Sequence, residues 1–407
     1  DAGSPGSRLF IYDVSDPSSP DVIRVGSQKT TPGLNAFTQH NPNPSNKPLK
    51  YATPAEQYMK LFRYANSLIP PSSRPSSTVS ILATAGMRLL PADAVSDLYS
   101  GLKAGLSADP DFHYTILSIS TLSGSLEGYY GLLSSNYLLG KVSSSLATVP
   151  GEGRPVGSLD MGGSSTQVTF DPTGSRDLRR ENLFIKSYLG YGGDTMRERA
   201  WSSLAGAVEA KGTDRGKVDN PCAFVGHTVE WNGATLVGTG SAEGCRSLLL
   251  SVMDPGGRGV AAGRIDIDGE EHPEMTGEFY AMSLYFFASD CLRHLSPPDH
   301  PYVRNWPNPS MEEMLKAAEG FCARPWSDFE SVRGTVHEYT RYEGFPHRCL
   351  EVTYISTLLR DGFGFDGGAR GVTFAFDIAG AEVEWTMGMM LVEGVEERAK
   401  RRGKNKS

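Results

Sequence analysis

Two stretches of the chain share one plan, and that plan restricts what the chain can fold into. Asp1-Ala2-Gly3-Ser4-Pro5-Gly6-Ser7-Arg8 opens the sequence, and Asp160-Met161-Gly162-Gly163-Ser164-Ser165-Thr166 stands near its middle. Each reads Asp-x-Gly-small and runs into a strand-like segment, Leu9-Phe10-Ile11-Tyr12 and Gln167-Val168-Thr169-Phe170. Glycine permits a tight turn whose N–H groups point inward, which suits phosphate oxygens. The aspartate offers the hard oxygen that a Mg²⁺ or Ca²⁺ carried on those phosphates prefers, directly or through water. One such loop is equally an ordinary glycine turn of a β-hairpin. Two copies, about one lobe apart, point to two related halves closing around one polyphosphate.

Composition narrows the class. The chain has 407 residues, 39% hydrophobic and 21% charged, enough for one very large globular domain or two ordinary ones. A net charge of −8 argues against a nucleic-acid duplex as partner, while an anionic nucleotide can still bind through local donors and a divalent metal. No stretch approaches the roughly 20 apolar residues of a membrane span. The chain starts at its first loop, without the apolar residues of a preceding strand, so a trimmed fragment is expected and any membrane anchor lies outside it. The basic run Arg398-Ala399-Lys400-Arg401-Arg402-Gly403-Lys404 suits a solvated tail, or the flank of such an anchor.

All five cysteines (Cys222, Cys245, Cys291, Cys322 and Cys349) fall in the second half and none forms a CxxC pair. That excludes the usual zinc spacing and favours long-loop disulfides in an oxidising compartment. The odd count leaves one thiol over.

Along the chain, Leu9–Val14 and Asp21–Gly26 read as strands joined by a Pro/Ser turn, and residues 31–50 as a Pro/Asn-rich loop. Thr53-Pro54-Ala55-Glu56 is a capping-box start with proline at the first helical position. The helix it opens presents Tyr58, Leu61, Phe62 and Ala65 on one face and ends at Pro70-Pro71. Strand-like Thr78–Ala83, a helix over Pro91–Leu106 and a strand over His113–Ser120 follow, so the first lobe reads as α/β. Leu126 to Gly140 is a helix, with Glu127 just inside its N-terminus, where an acid commonly complements the helix dipole. Residues 255–276 read as an exposed insertion. Thr353–Leu359 reads as helix, Val372–Phe376 as strand and Val383–Leu391 as the start of the last helix.

In this order the segments resemble the ecto-nucleoside triphosphate diphosphohydrolases, the apyrase family. The resemblance rests on the first loop, Ala83-Thr84-Ala85-Gly86-Met87-Arg88, Glu127-Gly128 with Asn136-Tyr137-Leu138-Leu139-Gly140, and Leu159-Asp160 through Gln167. Ser187-Tyr188-Leu189-Gly190-Tyr191-Gly192, Asn220-Pro221-Cys222 and Trp385-Thr386-Met387-Gly388 extend it over nearly the whole chain. It implies two actin-like (ribonuclease-H-like) lobes, each a central mixed β-sheet flanked by helices, with the nucleotide in the cleft between them. Lobe I would take residues 1–123 plus 377–407 and lobe II residues 124–376.

By the same resemblance, Glu127 is the catalytic base, replacing the dipole reading. Ser165, Gln167 and Thr84 handle the attacking water. Gly3, Ser4, Gly6, Ser7, Arg8, Gly162, Gly163 and Ser164 hold phosphate, and Asp1 and Asp160 hold Ca²⁺ or Mg²⁺ through water. Arg88 is structural. Cys322 and Cys349 would pair, flanked by Trp326 and the Tyr354 helix, while Cys222–Cys291 and Cys245–Cys291 both stay open. Two positions depart from the family: Leu132 stands where a tryptophan is usual, and Arg348 where surface members carry an aromatic on the base. An arginine there would stack on the base. The implied activity is metal-dependent hydrolysis of nucleoside tri- and diphosphates, outside the cell or in the secretory lumen. The competing readings on the same fold are a kinase or polyphosphate phosphatase, and an actin-like nucleotide-binding protein with little turnover.

Overall fold

A computed structural model describes the chain apart from residues 5, 15–21, 39–48, 210–215, 256–264, 266, 270, 331–336, 342 and 405–407, and the side chains of 208, 209 and 397–404. The chain forms two compact units. The first holds Asp1–Pro155, Gly162–Ser165 and Glu384–Ser407, and the second Val156–Met161 and Thr166–Val383.

In the first unit, β1 (Ser7–Asp13) pairs antiparallel with β2 (Ile23–Thr30), and β3 (Thr78–Ala83) pairs parallel with β4 (Thr115–Thr121). Ala2 joins the two pairs, bridging antiparallel to Ser7 and parallel to Ala83. The helix α1 (Pro54–Leu68) starts as its sequence requires. Thr53 accepts from the Glu56 N–H at 3.2 Å, and the Glu56 carboxylate accepts from Ala52 N–H at 2.9 Å, one residue before the N-cap. Tyr58, Leu61, Phe62 and Ala65 are buried as the helical spacing predicts, and Phe62 meets the Phe112 ring edge-on at 4.8 Å. The short α2 (Ala85–Arg88), α3 (Ala92–Ala108), α4 (Gly124–Leu138) and the helix Trp385–Lys404 complete this unit. The Pro/Ser turn expected between β1 and β2 lies outside the described residues.

The second unit is built on a mixed sheet of five strands. Its order is β12 (Val372–Phe374), β11 (Phe279–Ser283), β5 (Gly157–Met161), β6 (Ser165–Phe170) and β7 (Phe184–Leu189). β11 runs parallel to β5 and β12, while β5 and β6 form an antiparallel hairpin that sets Asp160 opposite Gln167. A smaller sheet orders β8 (Lys217–Asn220), β10 (Ala234–Gly238) and β9 (Thr228–Trp231), and β13 (Asp377–Ile378) pairs with β14 (Ala381–Glu382). Helices α5 (Gly193–Glu209), α6 (Ala242–Met253), α7 (Leu284–Leu295), α8 (Met311–Cys322) and α9 (Arg348–Thr357) accompany these sheets, and the last helix of the chain is α10 (Trp385–Lys404). Every residue of α9 is buried. Its hydroxyls therefore bond back into the helix, Thr353 to the Cys349 carbonyl (2.9 Å) and Thr357 to that of Thr353 (2.7 Å).

Three sequence expectations are revised. The compact first unit runs to Pro155 rather than 123, because α4 packs on α10 and its Glu127 pairs with Arg88, both of that unit. The stretch 255–276 is not simply an exposed insertion, since Ile265 and Ile267 are fully buried in the core. There the His272 ring also lies 3.0 Å from the Gly362 carbonyl oxygen. Cys222 pairs with Cys245, and neither pairs with Cys291, which is a buried free thiol. The Cys322–Cys349 bridge forms as the resemblance implied.

Candidate active site

The first Asp–Gly loop is tied down at both ends. Ala2 N–H donates to Leu82 O at 2.9 Å, and Thr84 N–H to Ala2 O at 3.3 Å, which lays the loop along the end of β3. Across the loop, Asp1 N bonds Arg8 O (3.0 Å) and Arg8 N bonds Asp1 O (2.8 Å). Asp1 therefore has a fixed place against Arg8. Glycines permit the tight packing beneath. A Cβ on Gly6 would lie 2.6 Å from Thr30 O, and one on Gly33 would lie 2.5 Å from Gly3 O.

The loop's hydroxyls divide. Ser7 was expected at phosphate, but it is 1% exposed and its Oγ bonds the Tyr58 hydroxyl at 2.8 Å, so it anchors the loop to α1 instead. Ser4 Oγ lies 3.0 Å from Ser164 Oγ, so the two Asp–Gly loops meet hydroxyl to hydroxyl. In the second loop, Gly162 N–H closes the turn on Ser165 O at 3.0 Å. A Cβ on Gly162 would meet nothing nearer than 3.8 Å, so neither crowding nor a left-handed φ demands glycine there. Open space beside that backbone suits an approaching anion.

Glu127 sits in the first turn of α4, whose N-cap Ser123 accepts from Leu126 N–H at 3.3 Å. Its carboxylate forms an ion pair with Arg88, while Arg88 Nε donates to Leu122 O at 2.9 Å. Thr84, 6% exposed, precedes α2 and makes no side-chain cap bond there. On the hairpin of the second unit, Asp160 O accepts from the Thr166 hydroxyl at 2.8 Å, and the Tyr285 hydroxyl lies 2.9 Å from that same Thr166 oxygen. Gln167, 2% exposed, donates to Ser187 Oγ at 3.0 Å.

Arg348 does not fit the base-stacking role. It is buried, with its guanidinium ion-paired to Glu351 and donating to Thr340 Oγ1 at 2.8 and 2.9 Å. Two residues gain importance over the sequence reading. Arg88, read as structural, holds the carboxylate of Glu127. Asn35, in a stretch read only as loop, carries a buried Oδ1 with no partner among the described residues. A Cβ placed on Gly86 would lie 3.3 Å from Asn35 Cγ and 3.2 Å from Ser4 Cβ, so Asn35 borders the Ser4 loop. No local pattern marks it. A separate depression of about 450 Å³, between Pro172, Asp177, Phe184 and Pro273, contains none of these residues and has no cation in its lining.

The donor set is carboxylate, hydroxyl and amide oxygen, which fits a hard divalent cation and not a thiophilic one. Among the described residues no group of three or more His, Cys, Asp or Glu could hold a metal ion. Among the same residues no helix is long and apolar enough to cross a membrane.

Units of sheets flanked by helices, with paired Asp–Gly loops, are consistent with the actin-like fold, and solved structures share that fold. Nucleoside triphosphate hydrolases from Neospora caninum align with a TM-score of 0.65 at 13% identity, covering 98% of this chain and 92% of that one. An Aquifex aeolicus member of the Ppx/GppA family gives 0.50 at 14% identity, over 97% and 96%. The chain belongs to the GDA1/CD39 (nucleoside phosphatase) family, whose model matches residues 1–402. Among its relatives, the nucleoside-diphosphatase mig-23 of Caenorhabditis briggsae is 26% identical over 96% of this chain and 75% of its own length. Ectonucleoside triphosphate diphosphohydrolase 1 of Rattus norvegicus is 25% identical over 96% and 79%.

Proposed function

We propose that this chain hydrolyses the terminal phosphate of nucleoside tri- and diphosphates by in-line attack of a water that Glu127 activates. The observation that carries the reading is the meeting of the two Asp–Gly loops at Ser4 and Ser164, 3.0 Å apart, within the unit that also holds Glu127. A phosphoryl group bound by both hydroxyls would take the place of that bond, with the open space beside the Gly162 backbone alongside. Phosphoryl transfer makes few covalent demands on a protein beyond positioning, charge neutralisation and a base for the nucleophile.

Ser4, Gly3, Gly6 and Arg8 would hold phosphate from one side, with Gly162, Gly163 and Ser164 from the other. Glu127 would accept the water's proton, oriented by Arg88, while Ser165, Gln167 and Thr84 would align the water. Asp1 and Asp160 would hold a hydrated Ca²⁺ or Mg²⁺. When bound, that cation supplies charge neutralisation at the phosphate oxygens. Two internal disulfides and the ectonucleotidase name of a relative support an extracellular or lumenal site of action, with any membrane anchor outside this chain.

The test is phosphate release from ATP, ADP, GDP and UDP by wild-type protein and by Glu127→Gln, with Ca²⁺ or Mg²⁺ and with EDTA. A general base contributes about 10²–10⁴-fold, so Glu127→Gln should lose activity on that scale while its circular dichroism is unchanged. Near wild-type turnover by Glu127→Gln would sink the assignment of the base. Undiminished hydrolysis in EDTA would remove the cation from the mechanism. A single slow turnover would make the chain a nucleotide-binding protein instead.

A further inference from the structure

The first turn of α4 must hold Glu127 still, yet its own cap is a single 3.3 Å bond from Leu126 N–H to Ser123. Besides the Arg88 pair, α4 packs along α10, and no other two helices among the described residues pack so extensively. At Gly388 the two backbones come close together. A Cβ there would lie 2.7 Å from the carbonyl carbon of Tyr130 and 2.9 Å from its Cα, and these are backbone atoms that cannot turn aside. Tyr130 is three residues beyond Glu127, so it stacks one turn along the same face of α4. Any side chain at 388 therefore pushes on the α4 backbone three residues beyond the glutamate.

The start of α10 is fixed in turn. The Glu384 carboxylate accepts from Thr386 N–H at 3.0 Å, from the Thr386 hydroxyl and from the Tyr12 hydroxyl. Tyr12 Oη also lies 2.8 Å from Thr386 Oγ1. Tyr12 belongs to β1, the strand that leads out of the Asp1–Arg8 loop, and Glu384 is 7% exposed. A continuous set of contacts thus runs from the first Asp–Gly loop through β1 and Tyr12 to Glu384, along α10 to Gly388, and across to α4. Removing one member of a buried hydrogen-bonded set leaves its partners unsatisfied, so the set tends to hold one geometry.

We propose that Tyr12, Glu384 and Gly388 are positioning residues that set the place of Glu127 relative to the Asp1–Arg8 loop. None touches substrate, and the inference rests on the reading of Glu127 as the base. A displacement of about 1 Å at a reacting group is worth as much as 10²-fold in rate.

The experiment uses the full chain with Gly388→Ala, Tyr12→Phe, Glu127→Gln and each of the first two combined with the third. Expected for folded Gly388→Ala is a kcat about 10–10²-fold below wild type, with KM within about twofold. Tyr12→Phe should show the same split with a smaller loss, about three- to tenfold. Because both act through Glu127, neither should lower the residual rate of Glu127→Gln further, whereas a general structural weakening would lower it again. Turnover within about twofold of wild type for both variants overturns the proposal, as does a penalty that persists in full beside Glu127→Gln. If Gly388→Ala does not fold, Tyr12→Phe, which loses a single hydroxyl, decides by the same criteria. An active Glu127→Gln would fail the base assignment itself, while an inactive Glu127→Gln beside undisturbed Gly388→Ala and Tyr12→Phe would fail the positioning alone.

Discussion

At the scale of single residues, Arg88 distinguishes Glu127 from an ordinary acid at a helix start. A glutamate in the first turn commonly complements the helix dipole from a solvated position. Here both partners of the ion pair are largely buried, at 14% and 10% side-chain exposure, and Arg88 also reaches the Leu122 carbonyl. A guanidinium serves two acceptors in a fixed fork, while a lysine ammonium is a point charge on a flexible stem. Arg88→Lys should therefore keep the charge and lose the orientation. The expected result is a fall in kcat of about tenfold with little change in KM. Unchanged kcat would show that Glu127 keeps its place without the Arg88 fork. Ser7 shows the opposite outcome: a small hydroxyl in a phosphate-type motif that the fold commits to Tyr58. The pair Arg88–Glu127 spans 39 residues, and no local pattern announces it.

At the scale of elements, the starts of helices follow from sequence most directly. Ser310 and Glu313 at the head of α8 form a full capping box, Ser310 Oγ accepting from Glu313 N–H (3.3 Å) and Glu313 from Ser310 N–H (2.9 Å). Arg370 donates to both Glu313 oxygens at 2.6 and 2.7 Å, and chiefly through these bonds holds the carboxyl down to about 2, against an ordinary 4.5. A depressed carboxyl contributes stability above its unfolded value and loses it as pH falls through the folded one. Arg370 is 41% exposed, so solvent screening reduces the contribution of the pair to about 1 kcal/mol. Urea denaturation should find Glu313→Gln weaker by that much at pH 6, with the deficit shrinking below pH 4.5 and gone near pH 2. A deficit independent of pH would assign it to the cap alone. Legibility stops where burial depends on distant partners. The α9 sequence Arg-Cys-Leu-Glu-Val-Thr-Tyr-Ile-Ser-Thr carries half its residues polar, yet all ten are buried. Arg348 accordingly pairs inside the unit, where the resemblance had placed it on the base. Ile265 and Ile267 were hidden in the same way, two apolar residues within a Gly-rich and acidic stretch. The strands β1, β3 and β6 and the helices α1, α3 and α4 were readable, because period and caps are local properties.

At the scale of the whole molecule, the covalent cross-links are unevenly shared. Both disulfides, Cys222–Cys245 and Cys322–Cys349, lie in the second unit together with the buried thiol of Cys291, and the first unit holds no cysteine. Burial pushes the Cys291 thiol up to about 11, so little thiolate is present at neutral pH and reagents reach it only through unfolding. The bridges close separations of 23 and 27 residues, and loops of that size are worth about 3 kcal/mol each in the chain-entropy account. Trp201, Trp231, Trp306 and Trp326 also belong to the second unit, so tryptophan emission reports mainly on it. Reduction of both bridges should lower the temperature of the emission transition by about 12–24 °C, at 2–4 °C for each kcal/mol lost in a unit of this size. Iodoacetamide should label no cysteine in the native oxidised protein and one after unfolding without reductant. Peptide mapping should then find the label on Cys291 and the links at 222–245 and 322–349. A label on Cys222 or Cys245, with the other joined to Cys291, would overturn the observed pairing. It would also require α7, which carries Cys291, to pack differently against the core that Cys222 and Cys245 share.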